Sequence, residues 1–203
     1  MAEPTFDRDR FSRALDTRHV GRSLIARAEV ESTNDLAWEA LAQGMPDGTV
    51  VVADRQTRGR GRSGRAWHMT PGRGLALSVA LHPGCDRRQQ STLPLVAGLA
   101  LADALDALGS RVRLKWPNDV LIDARKVAGI LCESRGRAGS GTAVVIGVGV
   151  NVAQRREDFP PELADRATSL AVEGVATTRE EVAARFLNAL ESLWREHAEG
   201  GRQ

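Results

Sequence analysis

The sequence is short of several things, and each shortage removes a class of protein. It has two cysteines, Cys85 and Cys132, far apart and without metal-ligand spacing. A disulfide scaffold or a thiolate zinc site does not fit that pattern, and a reduced cytoplasmic chain does. No apolar run reaches the ~18 residues of a membrane span. The start, MAEPTFDRDRFSR, is polar and lacks the apolar stretch of a secretory leader. Excess charge is missing too: 28 basic residues face 26 acidic ones, a net charge of +2. A general nucleic-acid binder carries a larger basic excess, so any cluster of arginines here is a local device. There is no internal repeat and no low-complexity tail. An apolar share of 42% over 203 residues is ordinary for one globular domain, long enough to bury a core without staples.

What is present is a run of strands and helices in a segregated order. FSRALDTRHVGRSLI predicts a weak helix through Phe11 and Leu15, then a short strand. In ESTNDLAWEALAQG, Ser32 or Thr33 is placed to cap a helix that Gly44 ends. GTVVVADRQ reads as a buried strand and LALSVAL as a half-buried one. STLPLVAGLALADALDALG is apolar on nearly all sides and predicts a buried helix. RVRLKW, VLI and KVAGILCE follow as a meander with turns at PND and DARK, and GTAVVIGVGVNV is a further buried strand. Thr178 and Glu181 form a capping box ahead of a final amphipathic helix. The order predicts an α+β fold: a mixed, largely antiparallel sheet with helices packed on it, not alternating βαβ units.

Two stretches carry the chemistry. The first is QTRGRGRSGRAWH, residues 56–68, with Arg58, Arg60, Arg62 and Arg65 among Gly59, Gly61 and Gly64. The glycines match G-x-G-x-x-G after a strand, but a dinucleotide site needs a helix to open directly behind them. Pro71, Gly72 and Gly74 rule that helix out. A Walker loop is absent, and base stacking would require aromatics where only Trp67 stands. A solvated basic loop remains open, as does a flap that closes over a small anion. Arginine forks and close backbone approach suit carboxylate and phosphate. The second stretch is RLKWPNDVLI. Val112, Leu114 and Trp116 share one strand face and Arg111, Arg113 and Lys115 the other. This is either a solvated edge strand or a lysine presented at a strand end.

ESTNDLA, RQTRGRGRSGRAWH, LKWPNDVLI with RKVAGILCE, and IGVGVNV stand in that order, and together they resemble the biotin protein ligases. The likeness runs from about Glu29 to Val152. It implies a catalytic domain of the class II synthetase-like biotin/lipoate ligase fold. It also implies an ATP-dependent ligase that makes biotinyl-5′-adenylate and transfers biotin to one lysine of a biotin carboxyl carrier protein domain. Biotin, ATP and Mg2+ are the expected ligands, with the magnesium held through phosphate oxygens and water rather than by a protein ligand cluster. By the same resemblance Lys115 and Arg62 are the catalytic cations. Biotin falls to Ser32, Thr33, Asn34, Gln56, Arg60, Gly61, Arg62, Lys115 and Gly129. The nucleotide falls to Arg60, Arg62, Trp67, Lys115, Asn118 and Asn151.

The family also sets expectations about what is missing. Residues 1–203 would be one catalytic domain with a poorly ordered start over 1–20. No DNA-binding helix-turn-helix is expected before it, and no membrane contact, while the oligomeric state stays open. The small β-barrel usual after the last helix is not found before the chain stops at HAEGGRQ. The rival reading is therefore a biotin-binding homologue with weak or no transfer. Lipoate ligases share the chemistry but lack this Arg/Gly loop.

Overall fold

The computed structural model describes residues 3–82, 87–137 and 141–200; Cys85 lies outside them. Its centre is one seven-stranded sheet in the order β1-β2-β3-β7-β6-β5-β4. The strands are β1 (Leu24–Val30), β2 (Thr49–Gln56), β3 (Gly74–Leu81), β4 (Val112–Lys115), β5 (Asp119–Ile122), β6 (Arg125–Arg137) and β7 (Gly141–Asn151). Only β1 and β2 pair in parallel, with helix α2 (Thr33–Ala42) as their crossover. The other pairings are antiparallel. The mixed α+β architecture expected from the element order is the one found, with a single βαβ unit at its start. The expected meander of β4, β5 and β6 is also present.

Alternation along the strands decides which face is packed. Leu75, Leu77 and Val79 of β3 and Val144, Ile146, Val148 and Val150 of β7 point one way. They meet α3 (Arg87–Asp106) and α4 (Arg179–Gly200) in the main core. The opposite face is thin. Val51, Ala80 and Val145 meet Ala37 and Trp38 of α2 in a small second cluster. Beyond it that face carries Ala76 and Ser78 on β3 and Gly147 and Gly149 on β7. Two layers with one well-covered face leave room on the other for something besides side chains.

Several expectations are corrected. Within the stretch 1–20 expected to be poorly ordered, α1 (Arg8–Ala14) and its flanks bury Phe6, Phe11 and Leu15 in the main core. The strand after it, β1, runs seven residues, because pairing to β2 supports a sequence whose polar positions face outward. Helix α3 is not buried all round, since Leu95 and Leu99 are half exposed. The face of β4 that carries Leu114 and Trp116 is likewise exposed, because β4 is the edge strand and α3 covers only part of it. The capping box of α4 is half made. Thr178 Oγ1 accepts from the Glu181 N–H at 3.3 Å, while the Glu181 carboxylate turns to Thr177 and Arg185.

A buried ion pair ties the N-terminal segment, β2 and α4 together. Arg179 donates to Asp54 at 2.7 Å, and both side chains are 8% exposed. The Thr5 N–H caps the other Asp54 oxygen at 2.6 Å, and Arg179 also reaches the Thr5 hydroxyl at 2.9 Å. Removing the carboxylate leaves the buried guanidinium with only the longer 4.0 Å contact to Glu180, a loss of up to about 3–5 kcal/mol. Asp54→Ala is therefore expected to lower the urea midpoint sharply at neutral pH with an unchanged slope; a change under about 1 kcal/mol contradicts this packing.

Candidate functional site

On the thin face of the sheet a cavity of about 370 Å3 opens, a size that suits a small organic ligand. Its floor is made by missing side chains. A methyl group on Gly149 would stand 2.4 Å from the Trp67 ring, and one on Gly147 would stand 2.2 Å from Asn34 Oδ1. Gly149 pairs with Gly129 across β6, so two bare positions lie side by side. Glycine there costs strand stability and is retained because other groups occupy the space.

One wall is the start of α2. Ser32, Thr33, Asn34 and Gln56 all line the cavity, and the first three are buried. Ser32 sits at the N-cap position but makes no side-chain capping bond. The cap comes from the end of β2 instead: Gln56 Oε1 accepts from the Thr33 N–H at 2.8 Å and lies 3.0 Å from the Thr33 hydroxyl. Asn34 donates to Glu133 Oε2 at 2.9 Å, and its Oδ1 lies 2.6 Å from Ser78 Oγ. Its amide is therefore satisfied internally, which makes it a strut of this wall.

The Arg/Gly loop is the roof, and it is a small closed structure. Gly61 N–H donates to Arg65 O at 2.7 Å, Trp67 N–H donates to Gly59 O at 3.0 Å, and Arg60 bridges Ala66. No helix follows, as the prolines and glycines required. Ser63 holds a left-handed φ of 57° at the tip, a conformation uncommon outside glycine and short polar residues. Arg60 does not reach into the cavity with a free fork. It grips Asp35 of α2 with two bonds of 2.7 and 2.6 Å. This hydrogen bond holds the Asp35 carboxyl below its ordinary range, against the smaller opposing effect of burial. Trp67 lies within the cavity across Gly149, its Nε1 buried without a partner, and the Lys126 ammonium is 5.5 Å from its ring centre.

Lys115, closing β4, and Arg62 of the loop also line the cavity. Neither has a carboxylate within ion-pair distance among the described residues, whereas Lys126 is paired with Asp119 at 2.6 Å. Six arginine and lysine side chains line the cavity against two aspartates, Asp119 and Asp165, so the interior favours an anion. Asn118 and Asn151 also line it, but their amides hold backbone. Asn118 Nδ2 donates to Ile130 O at 2.8 Å, and Asn151 donates to Thr168 O at 2.9 Å while accepting from Gln154 at 3.0 Å. All twelve residues singled out from the sequence thus border one cavity, which Arg60, Asn34, Asn118 and Asn151 border with committed side chains.

Sequence reasoning missed the segment after β7. Two short 3-10 turns, Arg156–Asp158 and Pro161–Leu163, lead to a strand-like bridge between Ala167 and Lys126. They bring Phe159, Leu163, Asp165 and Arg166 to the cavity. Nothing periodic marks them. Ser78 and Glu133 were also missed, although LALSVAL places a lone hydroxyl on a strand otherwise apolar.

Residues 26–151 match the biotin/lipoate A/B protein ligase family. The chain belongs to that family. It is 38% identical to the biotin–[acetyl-CoA-carboxylase] ligase of Mycobacterium tuberculosis, over 92% of this chain and 73% of that protein. Against the bifunctional ligase/repressor BirA of Bacillus subtilis the identity is 38%, over 92% of this chain but 58% of the other. The chain thus spans under three-fifths of that longer relative. In three dimensions it is similar to biotin protein ligase from Aquifex aeolicus in complex with biotin and ATP (TM-score 0.72, 36% identity, 88% of this chain and 72% of that one). It is also similar to the Leishmania major biotin protein ligase in complex with biotinyl-5-AMP (TM-score 0.71, 28% identity, 86% and 76%).

The loop anchor is testable. Asp35→Ala should speed tryptic cleavage within residues 58–65 several-fold while circular dichroism stays unchanged; equal cleavage rates contradict the anchor. Because the Asp35 pKa is depressed on folding, the pair contributes above the ordinary carboxyl value of 3.8 and is lost only in stronger acid.

Proposed function

We propose that this chain is an ATP-dependent biotin ligase. It joins biotin to AMP as biotinyl-5′-adenylate and passes the biotinyl group to a lysine of a biotin carboxyl carrier protein domain in the cytoplasm. The observation that carries this reading is one cavity with two unlike ends. A neutral hydrogen-bonding wall at Ser32, Thr33 and Gln56 suits a cyclic urea, and the unpaired cations Lys115 and Arg62 suit a carboxylate meeting a phosphate. The ligands named for the similar Aquifex and Leishmania proteins support it.

The chemistry follows from charge. The biotin carboxylate attacks the α-phosphorus of ATP, and pyrophosphate leaves with the electron pair of the broken P–O bond. Two anions must approach, so Lys115 at the strand end offsets their repulsion and the charge that develops on the phosphoryl oxygens. Arg62, on the loop above, is placed to hold the phosphate side. In the second step the amine of the acceptor lysine attacks the acyl carbon, the C–O bond to AMP breaks, and the amine gives up a proton. A roof over the mixed anhydride keeps water from taking the amine's place. Trp67 offers an aromatic face to the nucleotide, and Gly61 and Gly129 offer backbone close to the ligand.

Magnesium would enter with ATP. No group of three or more His, Cys, Asp or Glu side chains among the described residues is placed to hold a metal. Phosphate oxygens and water would supply its ligands, and Asp165 is the cavity carboxylate without an ion-pair partner among those residues.

Incubation with biotin, ATP and magnesium is expected to give biotin-dependent exchange of labelled pyrophosphate into ATP. Exchange no greater than without biotin, from folded protein, contradicts the reading. Lys115→Ala should lower that exchange by about 100- to 1,000-fold, as expected for loss of a group that stabilises developing oxyanion charge. A mass increase on a purified carrier domain tests the transfer step separately; exchange without it favours the biotin-binding homologue with weak transfer.

A further inference from the structure

Behind the polar wall of the cavity lies a second layer, Ser78 and Glu133, which does not line the cavity itself. Its outer end is Glu133 on β6. One oxygen of this carboxylate, Oε2, accepts from Asn34 Nδ2 at 2.9 Å and from Trp38 Nε1 at 3.2 Å. The indole N–H can only donate and an ionised carboxylate can only accept, so both bonds have a fixed direction. That settles the Asn34 amide: its nitrogen faces Glu133, and its oxygen points back over the bare Gly147 toward Ser78.

Ser78 is fully buried on β3, with its Oγ 2.6 Å from Asn34 Oδ1 and 2.8 Å from Thr33 Oγ1. It has one proton. Asn34 Oδ1 has none to give, so the serine proton goes there, and Ser78 turns a lone pair to Thr33. The Thr33 proton then closes the 2.8 Å contact to Ser78 Oγ, since no other proton lies between those two oxygens, and a Thr33 lone pair is left for the cavity. The Thr33 N–H fixes Gln56 Oε1 as the acceptor, which makes Nε2 the donor end of a side chain that lines the cavity. If the Asn34 amide turned over, its nitrogen would donate to Ser78. The serine proton would pass to Thr33, and the Thr33 proton would be released from Ser78 toward Gln56 or the cavity, so the hydroxyl would no longer be held to accepting from the ligand.

We propose that Glu133 and Ser78 are positioning residues that set the hydrogen-bond polarity of the biotin pocket. Through Asn34 they hold the Thr33 proton on Ser78, so that the hydroxyl turns a lone pair to the cavity, beside Gln56 as a donor. A cyclic urea needs that pair, because its N–H donates and its carbonyl accepts. The relay rests on the proposed function, and it acts on ligand binding rather than on the phosphoryl step at the other end of the cavity.

Calorimetric titration of the full chain with biotin, together with biotin-dependent pyrophosphate exchange, tests it. Ser78→Ala and Glu133→Leu should weaken biotin binding about 10-fold, the scale of one hydrogen bond left unmade. The exchange rate at saturating biotin should stay within about twofold of wild type, since Lys115 and Arg62 are untouched. Glu133→Gln keeps an oxygen that can accept both bonds and should bind biotin within about threefold of wild type. Circular dichroism checks that each variant folds, and the nearly isosteric Ser78→Cys, a weak donor, stands in for Ser78→Ala or Glu133→Leu if either does not, with the same expected loss of affinity. If Glu133→Gln binds as weakly as Glu133→Leu, or if all three match wild type, the relay is wrong while the function stands. Saturated rates that fall in step with affinity also overturn it. Failure of the wild type itself to bind biotin removes both.

Discussion

A strand cannot bury two full faces and also leave a pocket, and β7 resolves that conflict by being apolar on one side and bare on the other. Val144, Ile146, Val148 and Val150 fill the core under α3 and α4, while Gly147 and Gly149 leave open the space that the ligand site needs. Everything else in the site is arranged around that vacancy. Asn34 crosses one glycine, Trp67 lies on the other, and Gly129 of β6 widens the floor. A single methyl at Gly149 would meet the indole ring at 2.4 Å, so the shape of the pocket depends on the absence of atoms more than on any contact.

Helix α2 gives the site its second constraint. Its first turn carries Ser32, Thr33 and Asn34 into the cavity and Asp35 out to Arg60, so one short helix positions the polar wall and the roof together. The roof arginine nearest the helix is used as an anchor, while Lys115 and Arg62 line the cavity with no ion-pair partner among the described residues. So basic a loop sits in a nearly neutral chain because part of its charge is structural, with Arg58 and Arg60 balanced locally by Glu31 and Asp35.

Much of this was legible beforehand. GTAVVIGVGVNV announces both a buried strand and its bare positions, because β-branched residues and glycines alternate with period two. The Arg/Gly loop could be read as non-helical from Pro71, Gly72 and Gly74. The pairing of that loop with KWPND pointed to the family that the matched residues 26–151 bear out. What stayed hidden has physical reasons. The parallel strand β1 is supported by its neighbour rather than by its own pattern, and the turns from Arg156 to Leu163 have no periodicity at all. The commitments of Asn118, Asn151 and Arg60 to internal partners depend on residues far away in sequence, so side-chain type alone could not separate ligand contacts from struts. Ser78 and Glu133 belong to the same class: each looks ordinary until the fold lines them up behind Asn34.

The central claim is that one cavity holds the urea ring at α2 and the carboxylate at Lys115. A crystal structure of the protein with biotin tests it most directly. The account predicts the ureido group within hydrogen-bond distance of Thr33 Oγ1 and Gln56 Nε2, the tail carboxylate beside Lys115 Nζ, and the Arg60–Asp35 pair intact. Biotin bound elsewhere, or bound here in reverse with its carboxylate at Thr33 and Lys115 turned to solvent, would contradict it.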